Sequence, residues 1–217
     1  MKSRIPETDH GIQGEITVAQ YDQMERSLRD RGWIETPSLL KHGITSGQAL
    51  EIGHGPGYIG LEWLKCTSNT RLVGLDISPD MKALAERNAQ DYGLADRAQY
   101  HLGSCDQLPF EDNIFDAVFT NGSLHEWVNP CDAFNEIWRV LKPGGQYYIS
   151  DLRRDMKGWM QSFLWLTVRP TEMRPGLRTS IDAAYTSREI QAMLVQTQLK
   201  QGRVTGSMIG IEISGIK

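Results

Sequence analysis

The chain has 217 residues, of which 40% are hydrophobic and 23% charged, and this suits one α/β domain with a substantial core. A formal net charge of −4 and the lack of a basic run argue against a nucleic-acid partner. No apolar stretch approaches the ~20 residues that span a bilayer. The three cysteines form neither a disulfide framework nor a CxxC metal pattern. The polar segment Met1–Gly14 lacks the apolar core of a secretory signal, so cytoplasmic residence is the expectation.

The first 44 residues are predicted to form a helical cap segment ahead of the main domain, residues 45–217. Within the cap, Val18–Lys41 carries apolar residues at helical spacing and predicts a helical stretch. Tyr21 on this stretch could close over a bound ligand, although core packing is the favoured account.

A short apolar run, Ala49–Ile52, leads directly into three alternating glycines at 53, 55 and 57. Such a run predicts a buried parallel strand that breaks into a tight turn, with the next helix over Tyr58–Lys65. Glycines let the backbone approach a ligand closely, and a helix N-terminus presents unpaired N–H groups. The segment therefore predicts a nucleotide-type binding turn.

Strand and helix patterns alternate beyond this turn. Further strands are predicted at Arg71–Asp76, Ala98–Leu102, Phe115–Thr120 and Gln146–Asp151. Ser78-Pro79 opens a helix that Gly93 ends, since serine caps and proline suits the first helical position. Asn129-Pro130 opens another helix, which the run Leu141-Lys142-Pro143-Gly144-Gly145 stops.

The pattern changes over Met156–Ala184, which lacks clean periodicity but concentrates Trp159, Phe163 and Trp165. These aromatic residues are equally explained as a substrate lid or as a cover for the sheet. A capping box, Thr186 to Glu189, leads into a helix over Ile190–Gln198.

Two strand-like runs, Arg203–Ser207 and Ile209–Ile216, close the chain with only a turn between them. Strands joined so tightly must be antiparallel. The predicted fold class is therefore α/β: a doubly wound, mostly parallel seven-stranded sheet with a C-terminal antiparallel hairpin.

Gly55–Gly60 also fits the dinucleotide pattern GxGxxG, with Asp76 at about the expected distance. The carboxylate of Glu51 argues against that ligand, because it would repel a pyrophosphate and attract an ammonium group. Asp106 follows the third strand and adds a second acid at the carboxyl ends of the strands, where ligands bind in open α/β sheets. A dinucleotide-dependent oxidoreductase is the less favoured alternative.

Taken in order, the motifs resemble those of class I S-adenosylmethionine-dependent methyltransferases, over about residues 45–217. The branch they resemble most includes the ubiquinone and menaquinone biosynthesis C-methyltransferases and many small-molecule enzymes. The residues that carry the resemblance are Glu51-x-Gly53-x-Gly55-x-Gly57, Asp76, Asp106 with Leu108-Pro109-Phe110, Phe115-Asp116-Ala117-Val118, and Leu141-Lys142-Pro143-Gly144-Gly145. A Rossmann-like methyltransferase fold is implied.

The resemblance implies S-adenosylmethionine as the cofactor. Glu51 and the glycines at 53, 55 and 57 (Gly53, Gly55, Gly57) would face its methionine part. Asn121, just past the fourth strand, would lie close to the same part.

The resemblance also implies a nucleoside site. Asp76 would accept hydrogen bonds from both ribose hydroxyls, with Ile77 and Met81 against the adenine. Asp106 would accept from the adenine amino group, with the Cys105 backbone nearby. A carboxylate is an acceptor-only group, so it matches such donors without a proton of its own.

His125 is the candidate catalytic residue, because it lies beyond the fourth strand and can accept a proton near neutral pH. A structural hydrogen-bonding role is the alternative, and Asp151 and Tyr147 are weaker candidates for a base. The expected reaction is methyl transfer to a small molecule by direct in-line displacement. No metal is expected, since no cluster with ligand spacing appears.

The resemblance leaves two alternatives to methylation of a small molecule. Methylation of base amines is disfavoured because Asn121-Gly122-Ser123-Leu124 replaces the proline-containing turn that such enzymes usually carry. A non-catalytic module that binds the cofactor or a partner protein stays open as the alternative function, since no residue identifies the acceptor. Oligomeric state is equally unspecified.

Overall fold

A computed structural model of the chain describes residues 3–7 and 13–217. Part of the predicted cap, residues 1–2 and 8–12, therefore lies outside the described residues. The described residues form a seven-stranded sheet of order β3-β2-β1-β4-β5-β7-β6. Its strands are β1 (Gln48–Ile52), β2 (Arg71–Asp76), β3 (Ala98–Leu102), β4 (Phe115–Asn121), β5 (Leu141–Leu152), β6 (Arg203–Gly206) and β7 (Gly210–Ile216).

The pairing within the sheet confirms the predicted fold class. The first five strands pair in parallel, while β7 runs antiparallel to β5 and β6 antiparallel to β7. The helices are α1 (Glu15–Asp30), α2 (Thr36–Lys41), α3 (Tyr58–Cys66), α4 (Pro79–Asp91), α5 (Pro130–Val140), α6 (Gly158–Thr167), α7 (Arg174–Ala183) and α8 (Ser187–Leu194), with 3-10 turns at Leu124–Glu126 and Thr171–Met173. Among the described residues, none of the helices combines the length and apolarity that crossing a membrane requires.

Two hydrophobic layers cover the sheet. On one face, Leu50 and Ile52 of β1 pack with Phe134 of α5 and Ile190 of α8. On the other face lie the residues contributed by β1, α2, α3 and α4, among them Ala49, Leu39, Trp63 and Ala85. Neighbouring residues of β1 belong to opposite layers because successive strand side chains point to opposite faces.

Local sequence signals account for several helix ends. Ser78 caps α4, its hydroxyl accepting from the Met81 N–H at 3.2 Å, and Pro79 takes the first helical position as predicted. The capping box of Thr186 and Glu189 is present at the start of α8. Both predictions are confirmed.

Other boundaries differ from the predicted ones. Val18–Lys41 divides into α1 and α2, with turn residues including Gly32 between them. The fifth strand begins at Leu141, earlier than the predicted Gln146, and α8 ends at Leu194 instead of Gln198.

The fold brings the turns after β1, β2, β3 and β4 to one edge of the sheet. The strand order reverses between β1 and β4, since β2 and β3 lie on one side of β1 and β5 on the other. In open α/β sheets a crevice forms outside the carboxyl ends of the strands at such a reversal. Backbone bonds continue the sheet into these turns, from the Gly53 N–H to the Leu75 carbonyl (2.8 Å) and from the Gly103 N–H to the Asp76 carbonyl (3.0 Å).

Candidate functional site

A cavity of about 380 Å³ occupies this crevice. Its volume falls in the range typical of small-molecule sites. The walls come from the ends of four parallel strands, from the turns that follow them, and from one residue of α1. The lining residues are Tyr21, Ile52, Gly53, Gly55, Leu75, Asp76, Ile77, Met81, Gly103, Ser104, Cys105, Asp106, Asn121, Gly122, Ser123, Glu126, Trp127 and Val128.

Asp76 holds the glycine turn against the start of α4. One of its carboxylate oxygens accepts from the Gly55 N–H at 3.0 Å, and the other accepts from the Ser78 N–H at 2.9 Å. Because each carboxylate oxygen can accept more than one hydrogen bond, Asp76 keeps capacity to accept from hydroxyl groups in the cavity.

Gly53 joins β1 to the cavity in a conformation that requires glycine. Its φ is +64°, and a Cβ there would lie 2.6 Å from the Cβ of Ser123. A side chain at this position would therefore be strained and would also collide with the turn after β4.

Glu51 lies behind the turn and outside the cavity lining, in contrast to the position expected from the resemblance. Its side chain is buried and points toward Gly60 of α3, where one carboxyl oxygen has no hydrogen-bond partner among the described residues. Burial raises the pKa of Glu51 to about 8, although the Gly60 N–H lowers it in part. The carboxyl group is therefore mainly protonated at neutral pH.

Gly57 also lies outside the cavity lining, and it is the N-cap residue of α3. A Cβ at Gly57 would meet the Tyr100 hydroxyl and the Ala85 side chain, so this glycine permits close packing of α3 on its neighbours. The adjacent His54 is buried, and its Nδ1 lies 2.7 Å from the Gly55 carbonyl oxygen, so this histidine supports the turn.

The expected nucleoside residues lie together in one wall. Ile77 is partly exposed at the rim, Met81 is buried below it, and Asp106 faces them from the turn after β3. Cys105 lines the same wall, and burial raises the pKa of its thiol to about 12. The thiol is therefore neutral, which argues against a nucleophilic role for Cys105.

The opposite wall follows β4. Asn121 lines it, and the Ser150 hydroxyl donates to the Asn121 side-chain oxygen at 2.9 Å, which leaves the amide N–H groups available to the cavity. Trp127 donates to the Ser123 hydroxyl at 3.2 Å, and this bond holds the indole against the wall.

His125 is placed beside the cavity and does not line it. Its Nδ1 lies 2.9 Å from both carboxylate oxygens of Asp151, and its Nε2 lies 3.3 Å from a Glu7 carboxylate oxygen. Burial alone would lower the pKa of His125, but Asp151, Glu7 and Glu126 outweigh it and raise the pKa to about 10. The imidazole is a cation at neutral pH and has no free nitrogen lone pair to accept a proton.

Glu126 is the titratable residue of this wall that sequence reasoning missed. It lines the cavity, 4.0 Å from the Nε2 of His125. Burial raises the pKa of Glu126 to about 7 in spite of the opposing His125 charge, with Glu7, Asp76 and Asp151 adding to the rise. Such a carboxyl group can exchange a proton near neutral pH. Its only sequence signal is its place five residues past the end of β4, next to His125.

Glu7, His125 and Glu126 also place metal-ligand atoms within 4.8 Å of one another. In the structure the Nδ1 of His125 is bonded to Asp151 and its Nε2 lies 3.3 Å from a Glu7 carboxylate oxygen, so these side chains form a hydrogen-bonded, ion-paired group.

The charges in the cavity wall have one sign. Asp76, Asp106 and Glu126 line it, whereas no lysine, arginine or histidine does so within the part of the chain that the structure describes. A positively charged ligand suits such a wall, and a pyrophosphate would be repelled.

A protein-family model described as "Methyltransferase domain" matches residues 50–149, which contain most of β1, all of β2 to β4 and most of β5. Among solved structures, a Methanococcus maripaludis protein assigned to the S-adenosylmethionine-dependent methyltransferases is 25% identical with a TM-score of 0.75. The alignment covers 99% of this chain and 95% of that one.

Curated relatives are similar over parts of the chain. The ubiquinone/menaquinone biosynthesis C-methyltransferase of Geobacter sulfurreducens is 29% identical over 158 residues, 70% of this chain and 62% of the relative. The erythromycin 3''-O-methyltransferase of Saccharopolyspora erythraea is 34% identical over 111 residues, 51% of this chain and 36% of the relative. The chain thus spans less than two thirds of these relatives' length.

Proposed function

Because the chain belongs to the class I S-adenosylmethionine-dependent methyltransferases, we propose that it binds S-adenosylmethionine in the cavity and transfers the methyl group to a small-molecule acceptor. The observation that carries this proposal is the charge of the cavity wall. Asp76, Asp106 and Glu126 surround a space of about 380 Å³ in which the described residues place no basic side chain. A ligand that carries a sulfonium and an ammonium group fits that wall, since opposite charges attract strongly in a partly buried site.

In this proposal the nucleoside lies along the wall formed by β2 and β3. Asp76 accepts from the ribose hydroxyls while its own position is held by the Gly55 and Ser78 N–H groups. Asp106 and the Cys105 backbone recognise the adenine edge, and Ile77 and Met81 give the ring an apolar surface.

The methionine part lies against Gly53, Gly55 and Asn121, all of which line the cavity. Glu51 and Gly57 contribute from behind the turn. The protonated Glu51 side chain supports the Gly60 segment of α3, and Gly57 lets that helix approach Tyr100. Their effect on the cofactor is therefore indirect.

When bound, the sulfonium supplies an activated methyl group, and departure of the neutral sulfide makes the displacement favourable. The protein then has to align the acceptor with the methyl group, a contribution of up to ~7–11 kcal/mol in well-oriented systems. Trp127 and Val128 form the apolar surface on the acceptor side, and Tyr21 faces them from α1.

We assign the proton-accepting role to Glu126 for acceptors that lose a proton. Its carboxylate takes the proton as the acceptor atom bonds to the methyl carbon and the carbon–sulfur electron pair leaves with sulfur. The cationic His125 lies outside the lining and positions Glu126 electrostatically. A well-placed base contributes about 10²–10⁴-fold to the rate.

The names of two relatives support this class of acceptor, since one enzyme is named for erythromycin and the other for quinone biosynthesis. The same proposal includes two further assignments: residues 1–44 form a cap segment, and the protein resides in the cytoplasm. The described cysteines, Cys66, Cys105 and Cys131, are unpaired, as is usual in a reducing compartment.

Calorimetric titration with S-adenosylmethionine, S-adenosylhomocysteine and NADH tests the binding step. We expect heat from the first two ligands and none from NADH, because the acidic wall repels a pyrophosphate. Release of S-adenosylhomocysteine in a metabolite extract, followed by mass identification of the product, tests the transfer. Binding of S-adenosylmethionine without any release of S-adenosylhomocysteine would favour the non-catalytic module.

A further inference from the structure

Helix α6 shows an apolar face to solvent. Trp159, Phe163 and Leu166 are 60%, 51% and 58% exposed. Their spacing of four and three residues places them on one side of the helix. Exposed large apolar side chains that form a contiguous stripe mark an interaction surface more often than scattered ones do. We call this stripe the α6 surface.

The other side of α6 is already used to attach it to the domain. Met160 is buried with Met156 and Ile181 in a small separate cluster, against which Leu164 packs. No residue of α6, Gly158–Thr167, carries a charge. A contiguous apolar helix face is normally covered, and among the described residues nothing covers the α6 surface.

Basic residues surround this uncharged helix. Lys157 precedes it and Arg169, Arg174 and Arg178 follow it, against the single acidic residue Glu172 over residues 157–178. This local excess of positive charge contrasts with the formal net charge of −4 for the whole chain. Among the described residues, Lys157 and Arg169 form no ion pair with a carboxylate, and the Arg174 guanidinium lies 4.1 Å from the centre of the Trp165 ring.

The α6 surface lies at the same edge of the sheet as the cavity. Helix α6 is reached from the carboxyl end of β5, which is parallel to β4. The β6–β7 turn reaches that edge too, because Gly210 pairs with Leu152 and the Arg153 N–H donates to the Ile209 carbonyl at 3.0 Å. Met208, in the same turn, is exposed.

We propose that the α6 surface docks the protein on an anionic lipid bilayer, with the aromatic stripe in the interface and the flanking basic residues against the headgroups. Tryptophan and phenylalanine favour the boundary between acyl chains and headgroups, and nearby lysine and arginine are attracted to anionic lipids. A second copy of this chain is a poorer occupant, because its own α6 surface would bring the same positive charges together. Docking here leaves the cavity edge of the sheet beside the membrane.

The full chain is tested by co-sedimentation with vesicles of phosphatidylcholine alone and of phosphatidylcholine mixed equally with phosphatidylglycerol. We expect binding to the mixed vesicles only, weakened by salt, and quenching of tryptophan fluorescence by brominated acyl chains. The double variant Lys157→Glu/Arg169→Glu replaces two positive charges with negative ones. Each substitution is expected to weaken vesicle binding about fivefold or more. The variant Trp159→Ser/Phe163→Ser is expected to weaken it at least about tenfold.

Trp33→Ser is the matched control, because Trp33 is 56% exposed and lies outside the α6 surface. It should bind mixed vesicles as the parent does, and far-ultraviolet circular dichroism should be unchanged in all variants. The proposal is overturned if mixed vesicles do not sediment the parent, or if Trp33→Ser weakens binding as much as the Trp159 and Phe163 changes. It is also overturned if ultracentrifugation finds a dimer that the α6 variants dissociate. None of these outcomes depends on methyl transfer, so they are separate from the test of the proposed function.

Discussion

The Nδ1 atom of His125 lies 2.9 Å from both carboxylate oxygens of Asp151, and one of these oxygens, Oδ2, also accepts the His125 backbone N–H at 2.7 Å. Burial opposes a charge on the imidazole, yet Asp151 and Glu7 raise the pKa of His125 to about 10. The relationship makes His125 a buried cation that orients its neighbours. The adjacent Glu126, with a pKa of about 7, is the group in this wall that can exchange a proton at neutral pH.

The pH dependence of methyl transfer should therefore follow Glu126. We expect kcat to rise with pH through about 7 as the carboxyl group ionises, and Glu126→Gln to remove this rise and lower kcat by roughly 10²–10⁴-fold. His125→Asn should keep the rise but move it to higher pH, because the imidazolium charge lowers the pKa of Glu126. The measurement is S-adenosylhomocysteine release across a pH series with saturating acceptor.

The exposed Glu111 supplies the control for this series, since Glu111→Gln should leave the profile unchanged. A profile that loses its inflection in His125→Asn and keeps it in Glu126→Gln would return the role of base to the histidine.

Asp76→Asn should weaken cofactor binding. The substitution keeps an acceptor for one backbone N–H but removes the charge, and charge-assisted hydrogen bonds contribute ~1.5–3 kcal/mol, which corresponds to about 10- to 100-fold in Kd. Calorimetric titration with S-adenosylmethionine measures the change. Asp91→Asn, which changes an exposed acid at the end of α4, should bind like the parent. Equal affinity in both variants would exclude Asp76 from the binding site.

Glu51 should make the protein less stable as pH rises. Burial raises its folded-state pKa to about 8 from a usual value of 4.5, so the folded state holds a proton that the unfolded state has lost. The free energy of unfolding therefore falls between about pH 4.5 and pH 8, by a few kcal/mol at most. Glu51→Gln keeps the shape without the titration, so it should be relatively more stable than the parent at the upper end of this range.

Urea unfolding at several pH values measures this difference. Glu111→Gln again serves as the control, because its exposed carboxyl group should not change the slope. If the parent and Glu51→Gln showed the same pH dependence, Glu51 would not be a buried acid in the folded protein. Cofactor affinity should change little in Glu51→Gln, since Glu51 does not line the cavity.

Gly53→Ala should be more damaging than Gly122→Ala, although both glycines have a positive φ, +64° and +68°. The left-handed backbone costs an alanine about 1–2 kcal/mol at either position. A Cβ at Gly53 would also lie 2.6 Å from Ser123, whereas one at Gly122 would meet nothing within 4 Å. Thermal unfolding should report a lower Tm for Gly53→Ala, and titration should report weaker cofactor binding.

The clash with Ser123 can be tested separately. Adding Ser123→Gly to Gly53→Ala removes the colliding side chain and should restore part of the lost affinity. If the two single alanine variants behaved alike, backbone strain alone would explain both.

The parallel part of the sheet could be predicted from sequence because each strand is a short apolar run between turn residues. The bounds of β2 and β3 agree with their predictions, and Ser78 and Thr186 cap helices where their residue types favour it. The hairpin of β6 and β7 followed from the short turn between its strands. Most of the expected cofactor residues line one cavity for the same reason, since they follow successive parallel strands.

Side-chain direction and long-range pairing were harder to predict. Glu51 points into the layer of α3 because strand residues alternate between faces, and the sequence does not identify which face is buried under a helix. The pairing of His125 with Asp151 depends on the register of β4 against β5, in which Asn121 lies opposite Ser150. Helix α6 could not be predicted from sequence, because its exposed face is apolar and the usual alternation of apolar and polar residues at helical spacing is absent.

The two halves of the cavity come from separate stretches of chain. The proposed cofactor residues are drawn from the ends of β1 to β4 and their turns, whereas Tyr21 and the residues from Glu126 to Val128 form the rest of the lining. Under the proposed function, mutations at Trp127, Val128 or α1 would therefore change which acceptor is used and leave the proposed cofactor residues unchanged.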